Sequence, residues 1–216
     1  MTHGDRNPEP AAETPGARGS VTWWPGRGWL RRSVIALLAA LVILTGVRVF
    51  VADVYTVHQV SMSPTLADAE RIVVDKRYPG EGGAAAGDIV VFDGTGSFAP
   101  YEEQGSTLSH VARQVGHWFG IGAPPQTYVK RVIGVGGDKV SCCDAEGRLV
   151  VNDSPVAEPY LSEPATASSP ASRTPFEVEV PPGRMWVMGD NREESVDSRA
   201  LLGAPGGGMI SQDRIV

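Results

Sequence analysis

The sequence predicts a mainly β protein, with an antiparallel β-sheet domain preceded by one N-terminal transmembrane helix. Two features of the chain indicate this class. An apolar run lies near the N-terminus, and the rest of the chain consists of short β-like runs separated by turns. The 26 glycines and 17 prolines among 216 residues supply those turns and favour strands over a helical bundle. We therefore expect antiparallel sheets, including a small β-ribbon insertion.

The apolar run, residues 33–52, is the predicted membrane anchor. As a helix it is about 30 Å long, which matches the hydrocarbon core of a bilayer. Tryptophans and arginines precede it, as is typical of a membrane–water interface: Trp23, Trp24, Trp29, Arg27, Arg31 and Arg32. We set the anchor at residues 29–53. Residues 1–28 are rich in proline, glycine and charge, and we interpret them as a disordered cytoplasmic tail.

The charges beside the apolar run predict its orientation. Five arginines precede the run, whereas Asp53 and Asp68 lie between Arg48 and the next cation. This asymmetry predicts a cytoplasmic N-terminus and an extracytoplasmic domain over residues 54–216. A cleaved secretory signal and a buried core helix are the alternatives. The long charged lead argues against the signal, and the tryptophan–arginine cluster argues against the core helix.

The domain contains seven predicted strands, at residues 71–75, 88–92, 128–135, 139–141, 149–152, 176–180 and 185–188. Residues 139–181 are expected to form the small β-ribbon insertion, because residues 153–175 are rich in serine, proline, alanine and threonine. Residues 108–119 instead show a helical period of apolar side chains. That period fits either a surface helix packed on the domain or a helix lying in the lipid headgroup layer.

Composition excludes some classes of function. The net charge of -6 argues against a nucleic-acid partner, which would need a basic face. No cysteine or histidine spacing typical of a metal site is present, so we expect no metal and no cofactor. The two cysteines, Cys142 and Cys143, are adjacent. Their Cα atoms would be about 3.8 Å apart, closer than in most disulfides, so two free thiols are favoured over a strained disulfide.

Ser61 and Lys130 are the candidate catalytic residues. Ser61 closely follows the anchor, and a serine hydroxyl becomes a useful nucleophile only beside a base. Lys130 lies among apolar neighbours in a predicted strand, where burial would lower its pKa and let it accept a proton. Taken alone, each residue is more typical of a turn serine or a surface lysine. His58 is the alternative base, although no carboxylate is evident that would orient it.

Four segments resemble the sequence boxes of bacterial type I signal peptidases. They are Ser-Met-Ser-Pro-Thr-Leu at 61–66, Gly-Asp-Ile-Val-Val-Phe at 87–92, Tyr-Val-Lys-Arg-Val at 128–132 with Gly-Gly-Asp at 136–138, and Gly-Asp-Asn-Arg at 189–192 with Ser-Val-Asp-Ser-Arg at 195–199. Each segment alone is a weak signal, but the ordered set is specific. The resemblance covers residues 48 to about 203 and implies the antiparallel β fold of that family.

The resemblance implies a role for each matching residue. Ser61 would be the nucleophile that forms an acyl-enzyme, and Lys130 would be the general base and then the general acid. Ser195 would orient the lysine, as an aspartate orients histidine in the common triad. Ion pairs beside the site would support it: Asp197 with Arg199, and Asp190 with Arg131.

The same resemblance implies the substrate pockets. An oxyanion needs two donors, of which one would be the Ser61 N–H. The family's second donor lies two residues before the nucleophile, where this chain has Gln59, whose side-chain amide can donate. Small substrate residues, one and three positions before the cut, would fit pockets lined by Val57, Gln59, Met62, Leu66, Tyr128 and Val129.

The function implied is that of a membrane-bound serine endopeptidase. It would cleave N-terminal signal peptides from exported preproteins at Ala-x-Ala type sites, on the outer face of the plasma membrane. Its partners would be the signal peptides of secreted preproteins, membrane lipid and the protein export channel. One alternative is another Ser/Lys peptidase, such as a self-cleaving repressor or a pilin-processing enzyme. The other is a catalytically silent membrane-anchored module that binds exported chains.

Overall fold

The computed structural model of the protein describes residues 27–80, 82–98, 115–116 and 126–216. The chain divides into two compact units, Met1–Ile43 and Leu44–Val216. The predicted tail of residues 1–28 lies almost wholly outside the described residues. So does the predicted helix at 108–119, of which only Val115 and Gly116 are described.

One long helix, α1 (Arg27–Phe50), covers residues 29–50 of the predicted anchor. Its segment Gly28–Phe50 is long and apolar enough to cross a membrane, and none of its residues is buried. The helix ends at Phe50, three residues before the predicted end of the anchor at residue 53. Ala52 and Asp53 instead pair with Asp75 and Val74 of the next strand. Arg48 also donates a hydrogen bond to Asp53, with 3.0 Å between Nε and Oδ1.

The rest of the described chain is mainly antiparallel β structure, as predicted. Its strands are β1 (Ala52–Thr56), β2 (Arg71–Asp75), β3 (Ile89–Asp93), β4 (Thr127–Val135), β5 (Lys139–Cys142), β6 (Leu149–Val151), β7 (Ser154–Pro155), β8 (Phe176–Glu179), β9 (Arg184–Met188) and β10 (Ile210–Ser211). All seven predicted strands are confirmed within one or two residues. The short strands β7 and β10, and strand β1 beside the anchor, were not predicted.

Three sheets organise these strands. The first pairs β1 with β2, and the second has the order β10-β9-β4-β3. The third has the order β7-β6-β5-β8 and lies within residues 139–181, where three strands of the ribbon insertion were predicted and four are present. Strand β4 lies inside the second sheet, so both of its edges are hydrogen-bonded. Its register shifts between Val132 and Gly134, where a Cβ on the glycine would crowd Val140.

Apolar side chains form three buried clusters around the second sheet and its neighbours. One of them lies where β1, the following turn, β3 and β4 meet, and it contains Tyr55, Val57, Met62, Val91 and Val129. Another, under the ribbon insertion, includes Cys142. Cys142 and Cys143 are joined by a disulfide, contrary to the interpretation favoured from the sequence.

Candidate active site

Ser61 lies in a short 3-10 turn, Val60–Met62, that directly follows the first sheet. The turn is fixed from the opposite side by Asn191. The backbone N–H of Asn191 donates to the Ser61 carbonyl at 3.0 Å, and its side-chain amide donates to the Val60 carbonyl at 3.2 Å. The serine is 4% exposed and therefore has a fixed backbone and a shielded hydroxyl.

Lys130 contacts this hydroxyl directly. Its Nζ donates to Ser61 Oγ at 2.6 Å, and the lysine is only 1% exposed. Burial lowers the pKa of Lys130 from its ordinary value of 10.5 to about 8, although the nearby carboxylates of Asp197 and Asp190 act to raise it. A lysine with this pKa is partly neutral at slightly alkaline pH, so it can accept a proton from the serine.

Two ion pairs support the lysine from the segment 189–199. Arg199 donates to both carboxylate oxygens of Asp197 at 2.8 Å, and Asp197 is fully buried. Burial raises the pKa of Asp197, but Arg199 and the N–H of Gly189 lower it by more, so its pKa is below the ordinary value. Asp197 therefore remains charged near Lys130.

The second ion pair joins β4 to the segment that follows β9. Arg131 donates to both oxygens of Asp190 at 2.8 and 2.7 Å, and its Nη1 donates to the Gly87 carbonyl at 2.8 Å. The hydroxyl of Thr65 donates to Asp190 at 2.5 Å. Residues from three of the four sequence boxes thus meet at the carboxylate of Asp190. The fourth box, at 87–92, contributes the Gly87 carbonyl that accepts from Arg131.

Ser195, predicted to orient the lysine, is near the pair but not bonded to it. Its Oγ is buried and lies close enough to Asp197 to help lower the pKa of that carboxyl, but no hydrogen bond of ordinary geometry joins it to a described residue. A Cβ placed on Gly189 would overlap both the Ser195 side chain and the Ser61 carbonyl, so the three residues are in close contact. The predicted role of Ser195 therefore stays a prediction.

Gln59 and His58, the two other polar candidates, lie at the surface beside the serine. Both are exposed, and Ser61 Oγ donates weakly to Gln59 Oε1 at 3.4 Å. A rotation of the Gln59 amide would turn its NH₂ group toward the same space, because the oxygen and nitrogen occupy equivalent positions. The serine hydroxyl receives its hydrogen bond from Lys130 rather than from His58.

Two cavities adjoin Ser61. The smaller, of about 100 Å³, is lined by predicted pocket residues Val57, Gln59, Met62 and Val129, together with Tyr55, Thr56, His58 and Thr127. The larger, of about 390 Å³, includes Lys130, predicted Tyr128, Val60, Glu194 and Val196. Predicted Leu66 packs against the buried cluster of Val57 and Met62. No group of His, Cys, Asp and Glu in the described ranges is arranged to hold a metal ion.

The sequence reasoning missed several residues at the site. Tyr55 could have been found, because it lies two residues before Val57 and, in an extended chain, would face the same side. Gly189 lies in one of the four recognised segments. Its close contact with Ser61 and Ser195 could not be predicted, because no sequence pattern marks that contact. Glu158 and Tyr160, which reach Arg192 and Arg131, come from the ribbon insertion and belong to none of the four boxes.

A buried serine hydrogen-bonded to a buried lysine is a known alternative to the serine–histidine–aspartate triad. Fold and site therefore define a candidate serine hydrolase with a lysine partner. The family model "Signal peptidase, peptidase S26" matches residues 29–216. The chain belongs to this family.

Two proteins with similar sequences, both signal peptidases, agree with this assignment. A signal peptidase I from Mycobacterium tuberculosis is 38% identical over 189 residues, covering 81% of this chain and 64% of the relative. Signal peptidase I U from Bacillus subtilis is 35% identical over 185 residues, covering 84% and 80%. A crystal structure of a signal peptidase I from Enterococcus faecalis has 22% identity and a TM-score of 0.40, covering 61% of this chain and 92% of that one.

Proposed function

We propose that this protein is a membrane-anchored serine endopeptidase that removes N-terminal signal peptides from exported preproteins. The observation that carries the proposal is the 2.6 Å hydrogen bond between Lys130 Nζ and Ser61 Oγ, both buried. Membership of the signal peptidase family supports the substrate class. The residue roles below follow from the geometry and from serine-peptidase chemistry.

Acylation begins with neutral Lys130. It takes the proton of Ser61 Oγ as the oxygen attacks the scissile carbonyl, forming a tetrahedral oxyanion. The protonated lysine then gives this proton to the leaving nitrogen, the peptide bond breaks, and the mature protein departs with a free amine. The signal peptide remains as an ester on Ser61.

Deacylation repeats the same proton transfers with water. Lys130 accepts a proton from the water molecule that attacks the ester carbonyl, and the proton then returns to Ser61 Oγ as the ester bond breaks. The signal peptide is released with a free carboxylate, and the enzyme regains its starting state. The buried Asp197 and Arg199 pair keeps the surroundings of the lysine fixed throughout.

The oxyanion of each tetrahedral state receives two hydrogen bonds in this proposal. One comes from the backbone N–H of Ser61, and the other from the side-chain amide of Gln59 after it rotates. Gln59 lies within reach, since its Oε1 is 3.4 Å from Ser61 Oγ. Ser195 supports the lysine, with its buried hydroxyl beside Gly189.

Substrate selection rests on the cavities beside Ser61. The smaller cavity, of about 100 Å³ and lined by Val57, Met62 and Val129, admits a small side chain and disfavours a charged one. The signal peptide binds extended, as an added strand. A cavity of this size supports the proposal that the substrates are Ala-x-Ala type sites.

The proposal places the active site outside the plasma membrane. Helix α1, the one candidate span among the described residues, crosses the membrane with the arginine-rich N-terminus in the cytoplasm. Signal peptides reach the site from the bilayer, so membrane lipid and the export channel are the expected neighbours. A fully formed Ser61–Lys130 hydrogen bond favours this enzyme over a catalytically silent binding module.

The direct test is cleavage of a purified preprotein with an Ala-x-Ala site by detergent-solubilised protein. Wild type should cut after the last alanine, whereas Ser61→Ala and Lys130→Met should lose activity by about 10³-fold or more. Labelling of Ser61 by a serine-directed acylating inhibitor separates the enzyme from the binding module. If Lys130→Met retained activity, the base would lie elsewhere and His58 would be tested next.

A further inference from the structure

The loop between β7 and β8 carries two side chains that turn back toward the proposed active site. Glu158 and Tyr160 are joined to each other, because the Tyr160 hydroxyl donates to Glu158 Oε1 at 2.7 Å. Both belong to the ribbon insertion, outside the four sequence boxes. We call this pair the ribbon clasp.

Glu158 holds the segment that contacts Ser61. Its carboxylate accepts from both terminal nitrogens of Arg192, at 3.1 Å for Nη1 and in closer contact for Nη2. The two side chains are 5% and 8% exposed, so the ion pair is almost completely shielded. The same arginine donates through Nε to the carbonyl of Gly189 at 3.0 Å. Gly189 in turn lies against Ser61 and Ser195.

Tyr160 holds the residue next to the lysine. The Cζ atom of Arg131 lies 3.8 Å from the centre of the Tyr160 ring, the geometry of a cation–π contact. Arg131 is 8% exposed and directly follows Lys130 in β4. Glu158 therefore fixes the segment after β9, which contacts Ser61, and Tyr160 fixes strand β4, which carries Lys130.

We propose that Glu158 and Tyr160 are positioning residues for the Ser61–Lys130 pair, acting through Arg192 and Gly189 on one side and through Arg131 on the other. The inference rests on the proposed function, because its readout is turnover. The ribbon insertion would then contribute to catalysis by positioning the Ser61–Lys130 pair. Neither clasp residue touches the reacting atoms, so neither is a catalytic residue.

A positioning role has two measurable consequences. First, loosening the clasp lets Ser61 and Lys130 separate, so kcat falls while KM changes little. Second, it admits water to Lys130, which raises the pH at which the lysine loses its proton. The charged and titratable groups around Lys130 are Asp197, Arg199, Asp190, Arg131, His58, Asp68, Glu194 and Tyr128. The clasp variants keep all of them.

The test compares Glu158→Gln, Tyr160→Leu and Tyr160→Phe in the full-length protein in detergent, with the Ala-x-Ala preprotein as substrate. Active sites are counted by stoichiometric labelling with a serine-directed acylating inhibitor. Per labelled site, we expect kcat of Glu158→Gln and Tyr160→Leu to fall by about 10-fold or more, with KM within about 2-fold. Tyr160→Phe keeps the ring over Arg131 and should recover most of the activity lost in Tyr160→Leu.

The pH dependence separates positioning from simple stabilisation. The rate should rise with pH as Lys130 loses its proton, and in Tyr160→Leu this rise should move upward by roughly half a pH unit or more. Tyr160→Leu removes no charge, so it also tests the idea should Glu158→Gln fold poorly. Glu177→Gln is the matched control, because this exposed carboxylate lies in the same insertion and pairs only with Lys139 among the described residues.

Three results would overturn the inference. The first is fewer labelled sites with unchanged kcat per site, which would mean that the clasp only stabilises the ribbon. The second is a pH profile and kcat equal to wild type in both Tyr160→Leu and Glu158→Gln, while Lys130→Met is inactive; the proposed function would then stand without the clasp. The third is an inert wild type, which would overturn the proposed function and the clasp with it.

Discussion

Replacing Lys130 by methionine should stabilise the folded protein at neutral pH, although it removes the proposed base. Lys130 is 1% exposed, and burial lowers its pKa from 10.5 to about 8. Below pH 8 the lysine is charged in both the folded and the unfolded chain, and only the folded chain bears the desolvation cost. The difference between the two pKa values corresponds to about 3 kcal/mol of unfolding free energy.

The pH dependence of this effect has a definite sign. Between pH 8 and 10.5 the unfolded chain binds more protons at Lys130 than the folded chain, so wild-type stability gains as pH rises through this window. The gain amounts to roughly 2–3 kcal/mol between pH 7 and pH 10. Methionine also loses the hydrogen bond to Ser61, at a cost of about 1 kcal/mol. The variant should therefore be more stable than wild type by about 2 kcal/mol at pH 7, and about equal at pH 10.

The assay is equilibrium unfolding by urea in detergent, followed by tryptophan fluorescence, since Trp186 is fully buried. Wild type and Lys130→Met are compared at pH 7 and pH 10. Lys139→Met is the control, because that lysine is half-exposed and its pKa is raised by its hydrogen bond to Glu177. A stability difference for Lys130→Met that does not change with pH would refute the reasoning, since the folded state would then not penalise the charged lysine.

Three further substitutions test the surroundings of the pair. Gly189→Ala should lower kcat by about 100-fold, because a Cβ there overlaps the serine carbonyl; Gly203→Ala, where a Cβ meets nothing within 4 Å, should have wild-type kinetics. Asp197→Asn should lower the unfolding free energy by about 3–5 kcal/mol in urea titrations, because it leaves a buried arginine without its carboxylate; an effect no larger than that of Asp75→Asn in an exposed pair would contradict this. Gln59→Ala should slow acylation by about 10-fold or more with little change in KM, and an unchanged kcat would remove it from the mechanism.

The sequence by itself determined the local elements of this protein. The anchor helix and seven strands follow from apolar period and from turn residues, and β2 was predicted with its observed bounds, Arg71–Asp75. The end of the anchor was less well determined, because the valines after Gly46 continue the apolar run of the helix although β-branched residues favour a strand. Pairing of Ala52 with Asp75 in β2 decided that boundary, and this pairing is a tertiary contact.

The sequence also suggested the chemistry of Ser61 and Lys130, through their residue types and their order along the chain. Only the tertiary structure decided that they meet, because 69 positions separate them and the contact depends on how β4 packs against the turn after β1. It likewise decided the burial that lowers the pKa of Lys130, which no local pattern encodes. The contacts of Gly189, Glu158 and Tyr160 were beyond the sequence for the same reason: side-chain distances across a fold are fixed by packing, whereas a sequence pattern records only neighbours along the chain.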